Sequence, residues 1–575
     1  MTIEKVYEKS ITTLNDTKLF IAKCAGVKYL FVRGSGEAFD ALDGDIVESV
    51  EGPAKRCPLT NENAKTIQKL FPFTRPTSHK GRPLSLGLGD RLGLASAGHI
   101  RAIQYADLPM DTDPNDSVSA AGCATLLPVN PDKNVGVFPV LAQQSIRELN
   151  LTGRTYDDVI AAAVWAVFQE GYRKGWGADG DHLKTYDEVK MALDCGVTMI
   201  TLDCSEYIRN DIALMDDTDV DALYDELDRS TRERYESIYG RGLYVLGYSD
   251  GTPEPGLITA DDDSAQMDEA GAQDDELDEL DELDELDELD ELDDAQDDEL
   301  DELVVGFSLC DLKRIALVYG DAIKFTIGIY NDLIARSDRD IDFEMSIDET
   351  LTATSRQAHF FVANELKLAG VECVSLAPRF CGEFQKGIDY IGDIAKFEYE
   401  FMVHTKIAAK FGYKLSIHSG SDKFSIFPIA YKKTGLNVHI KTAGTSWLEA
   451  LGVIAKKAPE LFRRILAFAL EHIAEAKKYY HITENTANIP DISAMQDSDL
   501  PSLLNNNDAR QVLHVTYGLV LSAPADTDAP ASAADAPAAI HATAFKESIY
   551  ATLNEYEEEY YSALIRHIRR HLPTP

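Results

Sequence analysis

The chain has 575 residues, 45% of them hydrophobic, so it is long enough to bury a sizeable core without covalent cross-links. Its formal net charge is −43, but residues 261–303 hold 25 Asp and Glu and no Lys or Arg, which leaves −18 for the rest. Because phosphate contacts need clustered Lys and Arg, this charge argues against nucleic-acid binding as the main task.

No secretory or membrane signal is evident. The first residues, MTIEKVYEKS, contain no apolar segment, and the apolar stretch at 160–168 is far shorter than the roughly 20 residues that span a bilayer. The eight cysteines are scattered and form no CxxC pair. We therefore expect a cytoplasmic protein with reduced cysteines and no membrane partner.

The predicted elements follow a βαβα rhythm after an N-terminal segment. Residues 1–80 lack that rhythm and are expected to form an α/β cap or extension. Thr155 can cap a helix through residue 168, because Asp157 and Asp158 favour the positive helix start. The predicted strands that follow are 196–203, 341–349, 371–380, 414–422 and 438–445. Over residues 81–575 this rhythm predicts an α/β protein with a (β/α)8 TIM-type barrel.

Two low-complexity stretches interrupt the rhythm. Residues 261–303 contain a repeated Asp-Glu-Leu triplet, whose leucines drift about 60° per repeat around a helix and hold no single face. With its high charge, this stretch is predicted to be a disordered acidic insertion. Residues 523–539 have the Ala/Pro/Asp composition of a linker and are predicted to be a second insertion.

Three of the predicted strands, at 341–349, 414–422 and 438–445, alternate apolar and polar residues. In a barrel, such alternation turns the apolar set toward the helices and the polar set toward the interior. It directs Glu344, His418, His439 and Lys441 inward, near the strand ends where barrel sites lie. A carboxylate is costly to bury unless a cation, metal or substrate meets it. These residues therefore indicate a functional site.

His182, which follows Asp181, is a further candidate for this site. Three imidazoles that leave open positions suit a catalytic divalent cation such as zinc, manganese or iron. The alternative is that each histidine is a hydrogen-bonded structural residue at a strand end.

Other motifs favour structure over chemistry. GLGDRLG at 87–93 has its third glycine one residue late for a dinucleotide-binding loop. Residues 216–228 mimic a calcium loop but carry Ala222 where glycine is needed, which favours an acid-capped helix. No GxSxG elbow suggests acyl transfer.

Several long stretches between residue 80 and the end resemble the bacterial tagaturonate/fructuronate epimerase family. They include GDRLGLASAGHIRA, FQEGYRKGWGADGDHLKT, SLAPRFCGEFQKGIDYIGD, YKLSIHSGSDKFSIFP, HIKTAGTSWLEAL and NDARQVLHVTYG. The resemblance implies a metal-dependent isomerase that interconverts D-tagaturonate and D-fructuronate in hexuronate catabolism. The two insertions are departures from the family pattern.

The resemblance also implies roles for individual residues. The implied metal ligands are His182, His418 and His439. Asp181 and Glu344 would form the acid/base pair. The family likeness points only to the strand that carries Glu344, and alternation favours this residue over Asp348 or Glu349. The identity of the divalent cation is left open.

The two ketouronates differ at the carbon two bonds from the ketone, whose C–H is not acidified by that carbonyl. One hypothesis is retro-aldol cleavage and re-addition, with the metal as Lewis acid and the two carboxylates as base and acid. The alternative is direct removal and return of a proton by groups on opposite faces.

The substrate carboxylate needs cationic partners, for which Arg379, Lys423 and Lys441 are candidates, although each can equally form a structural salt bridge. His514 and Arg510 either complete the site or close the barrel. A ketose or uronate isomerase on the same barrel and a non-catalytic sugar-acid-binding protein stay as alternative functions. The oligomeric state is left open.

Overall fold

The strands that the structure describes form a closed barrel and two smaller sheets. A computed structural model describes residues 2–49, 52–104, 136–240, 243–247, 257–258, 302–442, 444–524 and 545–573. In chain order its strands are β1 (Lys5–Val6), β2 (Thr12–Leu14), β3 (Thr17–Cys24), β4 (Val27–Arg33), β5 (Asp45–Ser49), β6 (Gly52–Pro58), β7 (Leu84–Gly87), β8 (Phe138–Ser145), β9 (Gly177–Leu183), β10 (Met199–Asp203), β11 (Leu243–Gly247), β12 (Leu257–Ile258), β13 (Glu302–Gly306), β14 (Asp342–Ile347), β15 (Ser375–Pro378), β16 (Lys414–Ile417) and β17 (Val438–Lys441).

The barrel consists of eight parallel strands in the order β10-β14-β15-β16-β17-β7-β8-β9, which closes on itself. The helices of the described chain are α1 (Glu37–Ala41), α2 (Asn61–Leu70), α3 (Ser96–Gln104), α4 (Ile146–Thr152), α5 (Tyr156–Gln169), α6 (Tyr186–Cys195), α7 (Asp217–Asp225), α8 (Arg229–Tyr239), α9 (Leu309–Ile329), α10 (Arg356–Leu368), α11 (Ile394–Phe411), α12 (Phe427–Thr434), α13 (Thr445–Lys457), α14 (Pro459–Ala476), α15 (Asn507–Val515), α16 (Tyr517–Ser522), α17 (Lys546–Glu555) and α18 (Glu557–Arg569). Every connection between consecutive barrel strands contains at least one of these helices. The predicted (β/α)8 TIM-type barrel is confirmed.

Local sequence explains where helices begin. Thr155 caps α5 as predicted: its hydroxyl accepts a hydrogen bond from the Asp158 N–H, and the Asp158 carboxylate accepts one from the Thr155 N–H. Ser145 and Thr185 form the same reciprocal capping box at α4 and α6. The predicted helix within 216–228 is α7. Among the described helices, none is both long and apolar enough to cross a bilayer.

An antiparallel sheet precedes the barrel. Its strands are ordered β1-β3-β4-β6-β5, and β2 pairs with β3. Tyr7 of the segment after β1 donates a hydrogen bond of 2.6 Å to Glu557 of α18, and Lys28 of β4 pairs with the same carboxylate. The N-terminal sheet is thus tied to the last helix of the chain. A domain boundary at residue 80 stays a prediction.

The predicted insertions fall largely outside the described residues. Residues 261–301 of the acidic stretch are outside them, whereas Glu302 and Leu303 begin β13, which pairs with β11 in a small antiparallel sheet. Of the stretch 523–539, only residues 523–524 are described.

The alternation predicted for β14 is confirmed. Phe343, Met345 and Ile347 are fully buried between the barrel wall and the helices. Glu344 points into the barrel, where it contacts side chains from β10, β15 and β17. Apolar packing of alternate residues therefore forces a carboxylate into the interior.

Two buried histidines, His359 of α10 and His404 of α11, meet where these two helices pack together. His359 and His404 contact through their Nδ1 atoms at 2.8 Å, and the Tyr413 hydroxyl donates to His359 Nε2 at 2.6 Å. This hydrogen-bonded chain is satisfied when both imidazoles are neutral. Burial lowers the pKa of His359 well below its ordinary value and lowers that of His404 to about 4.

We predict that these two histidines contribute to acid sensitivity. Below pH 6.5 the unfolded chain binds protons on them that the folded chain does not, so their contribution to the free energy of unfolding falls between about pH 6.5 and 4. In urea titrations at pH 7 and pH 5, His404→Gln should reduce this loss by at most about 1.4 kcal/mol per pH unit. His481→Gln, at a side chain 78% exposed, is the control. An unchanged pH dependence in His404→Gln would contradict the prediction.

Candidate functional site

The ammonium group of Lys441, at the end of β17, lies inside a cluster of carboxylates at the carboxyl ends of the barrel strands. Its Nζ is 2.7 Å from Asp181 Oδ1, 3.2 Å from Asp179 Oδ2 and 3.0 Å from Glu344 Oε1. It also donates a hydrogen bond to the Thr201 hydroxyl. All five side chains are buried. A buried ammonium needs such partners, because water no longer solvates it.

Glu344 connects this cluster to His418. Its Oε1 accepts hydrogen bonds from His418 Nε2 at 2.8 Å and from Thr201 at 3.2 Å, in addition to its contact with Lys441. Its Oε2 accepts a hydrogen bond from the Ser375 hydroxyl. Both carboxylate oxygens are therefore engaged by the barrel itself.

His418 and His182 lie side by side above Glu344. Their ring centroids are 4.8 Å apart and the rings are nearly perpendicular. His418 Nδ1 is 3.2 Å from Asp348 Oδ2, and His182 Nδ1 is 3.6 Å from Asp203 Oδ2. The structure thus brings together two of the three histidines that the sequence implicated, each with a carboxylate behind it.

His182 reaches the site through an irregularity of β9. Since Asp181 faces the interior, simple alternation would turn His182 outward. Instead His182 has a φ of 51°, in the left-handed region, and the register against β10 shifts between Ile200 and Leu202. Such a bulge re-aims a side chain. Consecutive residues 181 and 182 consequently both serve the same site.

The charges of the carboxylates follow from Lys441. Burial alone would raise the pKa of Asp181 and of Glu344, but the nearby ammonium outweighs it and holds both pKa values below their ordinary range. Asp179 differs, because burial and the charges of its two carboxylate neighbours raise its pKa to about 7 despite Lys441. The cluster therefore contains carboxylates of unequal acidity.

Neighbouring carboxylates also shift the pKa values of the two upper imidazoles, those of His182 and His418. Burial would lower the pKa of His418, but Asp348 and Glu344 raise it to about 9. Asp181 and Asp203 likewise raise the pKa of His182 against the effect of burial. The upper pair of histidines thus lies in a negative environment, which also favours a cation.

His439 lies one layer deeper in the barrel. In the strand register it is level with Ser416 of β16, two residues before His418. Its Nδ1 is 2.9 Å from Ser85 Oγ, and its ring stacks on His79 with centroids 5.6 Å apart. Lys414 Nζ lies 3.0 Å from His79 Nδ1 and donates to Ser85 at 3.2 Å. Burial lowers the pKa of His439 to about 3.

The sequence predicted that Glu344, His418, His439 and Lys441 all face inward near the strand ends, but His439 lies deeper than the other three. Alternation correctly predicts that His439 faces inward, but it does not specify the layer. His439 Nε2 is buried without a hydrogen-bond partner, so this atom is available to a ligand. Its role as a metal ligand stays a prediction.

The three predicted substrate-binding cations have different surroundings. Lys441 is enclosed by carboxylates, as described above. Lys423 is fully buried, and its Nζ donates to the carbonyls of Gln385, Ile388 and Ser421 at 2.6–3.1 Å. Arg379 donates to a backbone carbonyl, that of Thr350. Their roles in substrate binding also stay predictions.

Sequence reasoning missed several residues of the site. Asp179, Thr201 and Asp203 face inward on β9 and β10, and the alternation argument applied to β14 would have found them in GADGDHL and MITLD. Lys386 had no such signal, because it lies in the connection after β15. Its Nζ donates to Ser419 Oγ at 2.8 Å, just beyond His418 in the chain.

The upper histidines fit a divalent cation. Ligand atoms of His182, Asp203 and Glu349 lie within 4.8 Å of one another. Nδ1 of His182 and Nδ1 of His418 are buried, and neither makes a hydrogen bond of good geometry. Imidazole nitrogens with carboxylate oxygens are a donor set that zinc, manganese and iron accept. Among the described residues, this is the candidate cation group nearest Lys441.

The chain was compared with known proteins. A family model described as tagaturonate epimerase matches residues 7–110, 120–251 and 257–574. A tagaturonate/fructuronate epimerase of Thermotoga maritima is 35% identical over 571 residues, which cover 99% of this chain and 96% of that protein. A native crystal structure of a fructuronate-tagaturonate epimerase from Cohnella laeviribosi shares 41% identity and a TM-score of 0.80, covering 99% of this chain and 96% of the other. A crystal structure of that Cohnella enzyme with one glycerol has a TM-score of 0.78 at the same identity, covering 99% of this chain and 95% of the other. The chain belongs to the tagaturonate epimerase family and is an epimerase of the isomerase class.

Proposed function

We propose that the protein interconverts D-tagaturonate and D-fructuronate, the ketouronates for which its relatives are named. The observation that carries this proposal is the set of buried charges around Lys441 at the carboxyl end of the barrel. Asp181 and Glu344 both contact one ammonium group, beside two histidines. Such a set can both move a proton and stabilise a developing oxyanion.

The chemistry favours breaking a C–C bond over removing a C–H proton. A base takes the proton of the hydroxyl on the carbon to be inverted, and a carbonyl forms there as the adjoining C–C bond breaks. The bonding electrons pass to the ketone, which becomes an enediolate. After the aldehyde turns, the enediolate adds to its opposite face and the oxygen regains a proton. Atoms and electrons balance without an added reactant.

Asp181 and Glu344 are the proposed acid/base pair of this reaction. Asp181 keeps a small exposed fraction of 5%, whereas Glu344 is fully buried and has both oxygens engaged within the barrel. Lys441 touches both carboxylates, so its ammonium gives a proton a short path between them. The same positive charge stabilises oxygen as it becomes negative.

His182, His418 and His439 are the proposed cation ligands. The carboxylates of Asp203 and Glu349 lie beside His182. A divalent cation bound there would supply Lewis-acid polarisation of substrate oxygens. Glu344 accepts a hydrogen bond from His418 Nε2 and so orients the ring, which directs Nδ1, beside Asp348, toward the cation.

Lys386 is the proposed partner of the substrate carboxylate. Arg379 and Lys423 already donate to backbone carbonyls, whereas Lys386 forms no ion pair with a carboxylate among the described residues and is only half-buried. Its contact with Ser419 holds it over the loop that follows His418. Burial lowers its pKa, and Asp181 is among the charges that raise it.

The function is tested by product analysis. We expect purified protein to convert D-tagaturonate to D-fructuronate and the reverse, without forming aldouronates. In deuterated water the inverted carbon should carry no deuterium, because cleavage of the C–C bond leaves its C–H bond intact. An aldouronate product would favour the alternative isomerase. Deuterium at the inverted carbon would exclude a mechanism that proceeds only through bond cleavage.

The cation is tested by chelation and by three single variants. We expect chelation to abolish turnover and a divalent ion to restore it. His182→Ala and His418→Ala should lower kcat on the order of 100-fold or more and weaken this restoration, since each removes a proposed ligand. His439→Ala should raise the metal concentration needed for restoration, because its Nε2, which has no hydrogen-bond partner, is the third predicted ligand atom. Undiminished activity of the chelated protein would refute the metal proposal.

The carboxylate partner is tested by Lys386→Met. Loss of one charged hydrogen bond, worth about 1.5–3 kcal/mol, should raise KM by about 10–100-fold with a smaller change in kcat. Lys386→Arg should restore part of the loss. Lys396→Met, at an exposed lysine of α11, is the matched control. An unchanged KM in Lys386→Met would show that another group binds the carboxylate.

A further inference from the structure

A second cluster of histidines lies between the C-terminal helix and the loop after β16. His567 belongs to α18 and His571 follows one helical turn later, so the two rings lie on the same side of the chain. Asp422 belongs to the loop that begins at His418. All three side chains are buried, with exposures of 5% or less. The proposed reaction uses none of them.

The three side chains converge on one point. One ligand atom from each of Asp422, His567 and His571 lies within 4.8 Å of the others. His567 Nε2 is 3.7 Å from Asp422 Oδ1, which is too long for a hydrogen bond. His567 Nε2 is also buried and has no hydrogen-bond partner. A buried nitrogen aimed at a carboxylate but not bonded to it leaves a polar gap between the two.

The outer contacts of the cluster are those of metal-binding histidines. The other nitrogen of His567, Nδ1, lies 3.4 Å from Glu449 Oε1. The other nitrogen of His571 donates to the His567 carbonyl at 3.1 Å. The second oxygen of Asp422 accepts a hydrogen bond of 2.7 Å from Arg510. Such contacts orient ligands so that their remaining lone pairs face an ion.

We propose that Asp422, His567 and His571 bind a structural zinc ion. Two imidazoles and one carboxylate are suitable zinc ligands, and they leave the fourth position of a tetrahedral ion to water. All three side chains are buried and take no part in the proposed reaction, which is why we assign the ion a structural role. The Asp422 N–H donates to His571 Nε2 at 3.2 Å, and zinc replaces this long hydrogen bond. The ion fills the gap at His567 Nε2.

The proposed zinc ion would act as a clamp that links the C-terminal helix α18 to the barrel. The ion joins the end of α18 to the loop that also carries His418 and Lys423. The same helix contacts the N-terminal sheet through Glu557, so one ion connects both ends of the chain with the wall of the active site. The proposed zinc site is separate from the cation site at His182 and His418. The zinc proposal therefore does not depend on which reaction the protein catalyses.

The experiment counts zinc in the full-length protein. The double variant His182→Ala/His418→Ala removes two of the three proposed catalytic ligands. After equilibration with zinc and removal of free ion, we expect this variant to retain one tightly bound zinc per chain by elemental analysis. Adding His567→Gln should abolish this zinc, because the amide has the bulk of imidazole but ligates zinc poorly. Chelation should lower the Tm of the double variant but leave that of the variant with the added His567→Gln change unaltered.

His481→Gln in the same background is the matched control, since His481 is exposed and should leave the zinc content unchanged. Should His567→Gln fail to fold, Asp422→Asn is the second variant, and anomalous diffraction at the zinc edge locates the ion. Absence of retained zinc in the double variant would overturn the proposal. Retained zinc that persists in the folded His567→Gln or Asp422→Asn variant, or an ion located elsewhere, would also overturn it.

Discussion

The site depends on a buried ammonium, that of Lys441, which three carboxylates surround. Removing these charges from water is costly, and the cost is recovered only if every partner lies at contact distance. Asp179 and Asp181 come from β9, Glu344 comes from β14, and Lys441 comes from β17. Only a closed barrel brings these strands together, so closure of the barrel and ionisation of the site are mutually dependent.

Polar residues fill the barrel in layers below this cluster. His439 and Ser85 occupy the next layer, and His79 and Lys414 lie beneath them, where His79 also donates its backbone N–H to Asp342 at 2.6 Å. Most barrels of this type have an apolar interior. Here hydrogen bonds in the lower layers hold the side chains above them in place. The proposed reaction takes place at the carboxyl ends of the strands, around Lys441.

The loop after β16 joins the two proposed cation sites. His418 at its start faces the catalytic cluster, whereas Asp422, four residues later, faces α18. Ser419 and Asp422 have φ values of 50° and 63°, which are uncommon for residues other than glycine and suit a tightly turned loop. A tight turn lets neighbouring residues point to opposite sides. The proposed zinc clamp and the proposed epimerase site therefore share a rigid connection.

The sequence by itself determined the barrel and the inward direction of Glu344, His418 and Lys441, because alternation and helix capping are local properties of the chain. Tertiary structure alone decided three further features. The bulge that turns His182 inward depends on register against β10, and the depth of His439 depends on strand stagger. The meeting of Asp422 with His567 joins residues far apart in the chain. Such contacts arise from packing between distant segments, which no local pattern specifies.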